Sequence, residues 1–128
     1  MSETTGIKLN YIIFCDCIAE SGGKVNILGV FSTIYSKAFP AVHQKFGIAL
    51  NLSGDPIEHT LNLQFRDTNG KDVIPKTPPL KFKCPEFGEA NLNITIENLP
   101  LQNPGFLTVE VLVDNKKTGE KDLIVSKV

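Results

Sequence analysis

A chain of 128 residues, 41% of them hydrophobic, is long enough to bury a sizeable core and too apolar to be a disordered segment. No apolar run approaches the ~20 residues that a membrane-crossing helix needs, so we expect a soluble globular protein without a membrane partner. Thirteen Lys and Arg against fourteen Asp and Glu give a net charge of −1, which argues against nucleic acid as a partner.

The amino terminus and the cysteines both favour a cytoplasmic protein. Residues 1–6 are polar and lack the basic and then apolar segments of a signal peptide. Three cysteines are an odd number, which suits a reducing compartment, and Cys15 and Cys17 lie too close along one extended segment to bridge easily. Because no linker or repeat divides the chain, we predict one domain over residues 1–128.

The first predicted strand covers residues 8–18, and the hydrophobic pattern has a period of two from there on. We assign alternate residues of this strand to the core: Leu9, Tyr11, Ile13, Cys15 and Cys17. Gly22 and Gly23 then predict a hairpin turn, and a second strand follows over residues 25–31.

Further strands are predicted over residues 45–53, 57–67 and 89–97, after Pro104-Gly105, and around Leu123 and Val125. Asn69-Gly70 predicts a turn, and the four prolines of residues 75–85 indicate a loop or a broken edge strand. Seven or eight short strands with one apolar face each predict an all-β fold, an antiparallel β-sandwich of immunoglobulin-like or related topology. The lack of Trp and of a well-spaced Cys pair argues against a true antibody domain.

The sequence offers two histidines as candidate general bases. His43 is interpreted as an exposed loop residue, and His59, which has the parity of Leu61, as a structural or rim residue. No nucleophile motif accompanies either, so we expect a non-catalytic protein. The alternative is a small hydrolase or small-ligand-binding domain that uses the His43 loop with a nearby carboxylate.

Metal and cofactor sites are not expected. Cys15 and Cys17 could join Cys84 and a histidine around zinc, but alternate residues of a strand splay apart, so we interpret them as core. Residues 67–72 faintly resemble a calcium loop without its downstream Glu and are interpreted as a turn. Calcium would require several aspartates from different loops to converge: Asp55, Asp67, Asp72, Asp114 and Asp122.

The first hairpin is apolar on both faces, which a strand wet on one side would not be. The residues of its second face are Ile12, Phe14, Ile18, Leu28 and Val30. Either residues 32–44 cover this face, or it binds a partner, because contiguous exposed apolar surface marks an interface. The partner would be another protein or, most simply, a second copy in a homodimer.

Several of these segments can be compared together with a known family. They are Cys15-Asp16, residues 23–31, Ile34-Tyr35 and Phe39-Pro40, with Pro104-Gly105 as a weaker feature of the second half. Together they resemble an uncharacterised family of small bacterial β-sandwich domains. The resemblance implies a bacterial, cytoplasmic sandwich and brings no activity, cofactor or catalytic residue with it.

Overall fold

The structure is a computed structural model that describes residues 6–128, and over those residues it consists of strands and connecting loops. The strands are β1 (Ile7–Ser21), β2 (Lys24–Phe31), β3 (Thr33–Ser36), β4 (Ala41–Gly54), β5 (Glu58–Arg66), β6 (Leu80–Lys83), β7 (Glu89–Leu101), β8 (Gly105–Val113) and β9 (Lys116–Lys127). The predicted all-β fold is therefore confirmed. The part of the chain described here has no helix long and apolar enough to cross a membrane.

Two sheets pack face to face. The first sheet has the strand order β2-β1-β4-β7, and the second has the order β3-β9-β8-β5-β6. Neighbouring strands are antiparallel except for β3 and β9, which are parallel. Two of the nine strands in residues 6–128, β3 and β6, have only four residues each, and the sequence pattern alone gave a count of seven or eight.

The core lies between the sheets, where the period-two pattern predicted it. In β4 the inward residues are Phe46, Ile48, Leu50 and Leu52, and in β5 they are Leu61, Leu63 and Phe65. All are fully buried in one hydrophobic cluster. Since side chains alternate between the two faces of a strand, these two patterns fix which face of each sheet meets the other.

Strand β1 differs from the predicted pattern because it contains a β-bulge. Leu9 lies opposite Leu52, but Tyr11 lies opposite Asn51, so one extra residue interrupts the ladder. A single extra residue exchanges the two faces of a strand. Beyond the bulge Ile12 and Phe14 therefore face the core, 8% and 0% exposed.

The predicted core face of β1 is therefore partly wrong. Tyr11 is 37% exposed and Cys17 is also exposed, whereas Cys15 remains fully buried. The placement of Ile12 and Phe14 on a partner-binding surface is likewise wrong.

Residues 32–44 take a different path from the one expected. After Phe31 the chain leaves the first sheet, and Ser32 O accepts a hydrogen bond from Ile124 N of β9 at 2.9 Å. Strand β3 then buries Ile34 in the core of the sandwich. The segment therefore does not cover the outer face of the first hairpin.

Candidate functional site

Strand β2 forms one edge of the first sheet, with β1 as its neighbour among the described strands. Leu28 and Val30 pair with Cys17 and Cys15, so their side chains lie on the outer face, away from the core. They are 54% and 65% exposed. We call this edge strand and these two side chains the β2 surface.

Ile18, the remaining residue of the expected patch, has an intermediate position. Its side chain is half-buried and packs on β4, where a Cβ placed on Gly47 would be 3.2 Å from Ile18 Cδ1. Of the five residues assigned to a partner-binding face, the structure thus leaves Leu28 and Val30 well exposed and places Ile12 and Phe14 in the core.

A cleft of about 400 Å³ opens where the chain passes from β2 to β3. It is lined by Asp16, Gly29, Val30, Phe31, Thr33, Ile34, Tyr35 and His43, and we call it the Asp16 cleft. Gly29 has φ of 70°, and a Cβ at this position would overlap the Asp16 carboxylate. Glycine is therefore required for Asp16 to lie against the backbone of the edge strand.

His43 belongs to strand β4 and not to a loop, which corrects its predicted position. Its half-buried ring packs against Phe46 and Phe31, with centroids 5.5 Å and 6.1 Å away. Burial lowers the pKa of His43, and the nearby Asp16 charge opposes that effect only in part. Within residues 6–128 its buried Nε2 has no hydrogen-bond partner.

His59 lies between two carboxylates, an arrangement that the sequence analysis did not predict. Its Nδ1 is 2.6 Å from Asp114 Oδ2, and its Nε2 is 2.6 Å from Asp55 Oδ1. Since a carboxylate accepts hydrogen bonds, this arrangement favours the protonated ring, in which both nitrogens donate. The ring is 4% exposed and stacks on Phe82 at 5.8 Å.

The pKa values around His59 agree with that geometry. Burial alone would lower the pKa of His59, but its hydrogen bonds to Asp114 and Asp55 outweigh burial and raise it above 6.5. The hydrogen bond from His59 lowers the pKa of Asp114, and a second bond from Thr60 N contributes. With both nitrogens engaged, His59 joins the β4–β5 loop to the β8–β9 turn and has no free nitrogen to act as a base.

The aspartates that could have formed a calcium site make separate contacts in the structure. Asp55 and Asp114 converge, but on His59. Asp67 Oδ1 accepts hydrogen bonds from Asn69 N and Lys71 N, at 2.9 and 3.0 Å, which confirms the predicted turn. Across the described part of the chain, no group of three or more His, Cys, Asp or Glu side chains is arranged to hold a metal ion.

Two of the three thiols are buried. Burial raises the pKa of Cys15 and of Cys84, and each Sγ lies within 3.6 Å of a backbone carbonyl, Gly47 O and Leu52 O respectively. Cys17 is exposed on the outer face of the first sheet, which corrects its assignment to the core.

The two packed sheets define a β-sandwich of immunoglobulin-like or related type. Residues 10–126 match a family of unknown function, DUF6941, and the chain belongs to that family. This confirms the resemblance to an uncharacterised family that the sequence motifs indicated. No curated protein matches the chain.

Solved structures show the same fold at low sequence identity. The alkylpurine DNA glycosylase AlkC of Pseudomonas fluorescens, bound to DNA with an abasic site analogue, matches 96% of this chain with a TM-score of 0.63 and 10% identity. A β-glucosidase of Listeria innocua in complex with isofagomine matches 98% of it with a TM-score of 0.56 and 9% identity. The chain spans only 31% and 16% of the lengths of these two proteins.

An immunoglobulin-like protein of Pseudomonas aeruginosa is also similar. It has a TM-score of 0.47 and 17% identity, and the match covers 93% of this chain and 95% of that one.

Proposed function

We propose that this protein is a non-catalytic interaction module that self-associates through the β2 surface. The observation that carries the proposal is the pair of exposed aliphatic side chains, Leu28 and Val30, on the outer face of an edge strand. An edge strand has unpaired backbone groups that can bind another strand, and adjacent apolar side chains add to that binding.

A second copy fits this surface because antiparallel strands are related by a two-fold axis. Two β2 strands paired antiparallel would extend the first sheet across both copies, and the same patch would be used twice. Each aliphatic side chain removed from water contributes on the order of 1.5–3 kcal/mol, from which the entropy of association is subtracted. Four such side chains per dimer, with the added backbone hydrogen bonds, are enough for a specific contact.

The surroundings of the two histidines favour binding over catalysis. Both nitrogens of His59 are engaged by carboxylates, so this ring cannot accept a proton from a substrate. A hydrolase using His43 would need a carboxylate hydrogen-bonded to it, and among residues 6–128 Asp16 acts on His43 as a nearby charge without such a bond. The similar folds in the glycosylase and the glucosidase are parts of longer chains, which is consistent with a sandwich used as a module.

Sedimentation velocity over a concentration series tests the proposal. We expect the wild-type chain to sediment as a dimer, and Leu28→Asp or Val30→Asp to give a folded monomer, because a charge buried in the interface would be unpaired. Ile57→Asp is the matched control, since Ile57 is 57% exposed and lies in the β4–β5 loop. This variant should remain dimeric. A wild-type chain that is monomeric at every concentration, or a Leu28→Asp variant that still dimerises, would overturn the proposal.

A further inference from the structure

A cleft of about 290 Å³ opens at one end of the sandwich. One wall comes from the segment 67–73, which follows β5, and the other from the segment 100–104, which ends β7 and leads to β8. Because β5 belongs to the second sheet and β7 to the first, the cleft lies between the sheets, over the end of the core. We call it the end cleft. It shares no lining residue with the Asp16 cleft, so the two are separate.

The floor of the end cleft is apolar. Leu101, Leu107 and Val125 line it and belong to the buried hydrophobic cluster of the sandwich, and Val73 packs against that cluster. Phe106 adds an aromatic ring to the lining and is 43% exposed. Water above such a floor meets few polar groups, so an apolar group that displaces this water binds favourably. The floor therefore favours a ligand with an apolar body.

The rim of the end cleft is polar and acidic. It carries two carboxylates and three carboxamides, which belong to Asp67, Asp72, Asn69, Gln102 and Asn103. Among residues 6–128, the lining of the cleft includes no Lys, Arg or His. An anion would meet like charges at this rim, whereas a cation would meet opposite ones. The charge of the rim therefore favours a cationic group on the ligand.

Asp67 is the carboxylate that is free to bind this cation. Its Oδ1 accepts hydrogen bonds from Asn69 N and Lys71 N, at 2.9 and 3.0 Å, which hold the carboxylate in place. Within the described part of the chain, Asp67 forms no ion pair with a Lys or Arg side chain. Asp72 differs, because its Oδ1 lies 3.4 Å from Arg66 Nη1. The rim charge without a cationic partner is thus that of Asp67.

The two walls are held in place without a ligand. Val73 N donates a hydrogen bond to Phe65 O at 2.9 Å, which ties the first wall to β5. Thr68 of the same wall lies against Gly105 at the start of β8, where a Cβ would be 3.5 Å from Thr68 Cγ2. A cleft that is already formed reduces the free energy that binding spends on ordering loops.

We propose that the end cleft binds a small organic amine, with the ammonium group paired to Asp67 and the apolar body on the buried floor. Carboxamide oxygens of the rim accept hydrogen bonds from the ammonium, and the Phe106 ring is available for a cation–π contact. At about 30 Å³ for each water, the cleft holds roughly ten waters, which leaves room for an amine with one six-membered ring. This site goes beyond the proposed self-association and does not depend on it.

A series of three ligands with the same apolar body tests the proposal by NMR titration. The probes are phenethylamine, phenethyl alcohol and hydrocinnamate, which are cationic, neutral and anionic. We expect the amine to shift the methyl resonances of Leu101, Leu107 and Val125, while those of Leu52 and Leu61, near the other end of the sandwich, stay unchanged. The alcohol should bind about tenfold more weakly, because it lacks the charge-assisted hydrogen bond, and hydrocinnamate should not bind.

Asp67→Asn isolates the charge, since asparagine keeps an oxygen for the two backbone N–H groups of the turn. The dissociation constant of phenethylamine should rise about tenfold in this variant. That of phenethyl alcohol should stay the same, which shows that the cleft is intact. Glu97→Gln is the matched control, because Glu97 is an exposed carboxylate of β7 outside the cleft, and it should bind the amine as the wild type does.

The same titrations on Leu28→Asp separate this site from the proposed self-association. Leu28 does not line the end cleft, so this variant should bind the amine with the wild-type dissociation constant. A wild-type chain that is monomeric therefore overturns the proposed function and leaves this inference standing. Selective binding of the amine that is weakened in Asp67→Asn supports the site. Equal affinity for amine and alcohol, full affinity in Asp67→Asn, or unshifted floor methyls with every probe would each overturn it.

Discussion

At the scale of single residues, His59 is the ionisable side chain that its neighbours constrain most among the described residues. The His59 side chain is nearly inaccessible, and the two carboxylates that hold it, Asp55 and Asp114, are each about 40% exposed. A buried cation between two partly hydrated anions keeps its hydrogen bonds while the anions keep part of their hydration. His59 therefore acts as a clamp between the β4–β5 loop, which contains Asp55, and the β8–β9 turn, where Asp114 lies 55 residues beyond His59 in sequence.

The pH dependence of stability should reveal this clamp. The pKa of His59 is raised in the folded protein, so the protonated ring stabilises the fold fully below about pH 6.5. That contribution is lost as the pH rises through the folded-state pKa. Urea unfolding between pH 6 and 9 should therefore show stability falling with pH, and the pKa of the His59 resonances by NMR should lie above 6.5.

His59→Gln is the control for that experiment. A glutamine cannot carry the charge, so the loss of stability above pH 6.5 should disappear, and stability at pH 6 should fall by on the order of 1–3 kcal/mol. The contribution of His43 to folding stability has the opposite pH dependence. Burial lowers the pKa of His43, so stability falls as the pH falls below 6.5 and the ring becomes protonated. A wild-type profile that is flat over this range would show that His59 is not held as an imidazolium.

The sequence contained only part of the information about this cluster. Asp55 is four residues before His59, and the sequence analysis named both Asp55 and Asp114 among aspartates that could converge. Which of them do converge depends on β5 and β8 being neighbours in the second sheet, so that Thr60 lies beside the β8–β9 turn. Strand order is set by the whole chain, and local alternation does not encode it.

At the scale of the strand, β1 shows where the period-two argument is reliable and where it fails. Strands β4 and β5 keep their alternation along the core, and their buried faces were predicted correctly. In β1 the bulge near Asn10 exchanges the faces, and no turn residue or proline in the sequence marks it. Because β1 is apolar on both faces, either assignment satisfied the pattern.

Phe14→Ala should therefore destabilise the fold strongly. Phe14 is fully buried, with the ring of Phe46 at 6.3 Å and Lys121 Nζ at 5.4 Å, so its removal leaves a cavity. We expect a loss of about 3–5 kcal/mol in the free energy of unfolding, measured in urea. Val42→Ala, at a 58% exposed position of the same sheet, should cost less than about 0.5 kcal/mol.

If the alanine variant does not fold, Phe14→Leu can replace it in the test. Leucine leaves a smaller cavity and costs less stability, so this variant should still give a measurable unfolding transition. A surface role for Phe14 would instead give two variants with nearly the wild-type midpoint. That result would contradict the bulge and the inward direction of Phe14.

At the scale of the whole molecule, composition and alternation were enough to predict two packed sheets but not the path between them. The chain changes sheets after Phe31, through Ser32, to form the parallel pair of β3 with β9. Strand β3 has only four residues, which are too few for their hydrophobic pattern to show which sheet the strand joins. This crossing also brings Asp16, Phe31 and His43 around one cleft, so that cleft could not be predicted from the sequence either.

The single shared core leads to a prediction about folding cooperativity. Side chains of both sheets belong to one hydrophobic cluster, with Phe46 and Leu50 on the first sheet and Phe65 and Val109 on the second. A sheet that separated from the other would expose its half of the cluster to water, at roughly 25 cal/mol for each Å² of apolar surface. Neither sheet is therefore stable alone, and residues 6–128 should unfold as one unit.

Urea unfolding followed by two signals checks this. Far-ultraviolet circular dichroism reports the strands of both sheets, and tyrosine fluorescence reports Tyr11 on the first sheet and Tyr35 on the second. The two curves should coincide, with one midpoint, as for other single domains of this size. Tyr11→Phe and Tyr35→Phe variants separate the fluorescence of the two sheets, and each should still give the same midpoint as the dichroism. Midpoints that differ between the two variants would show that the sheets unfold separately and that the chain is not one cooperative domain.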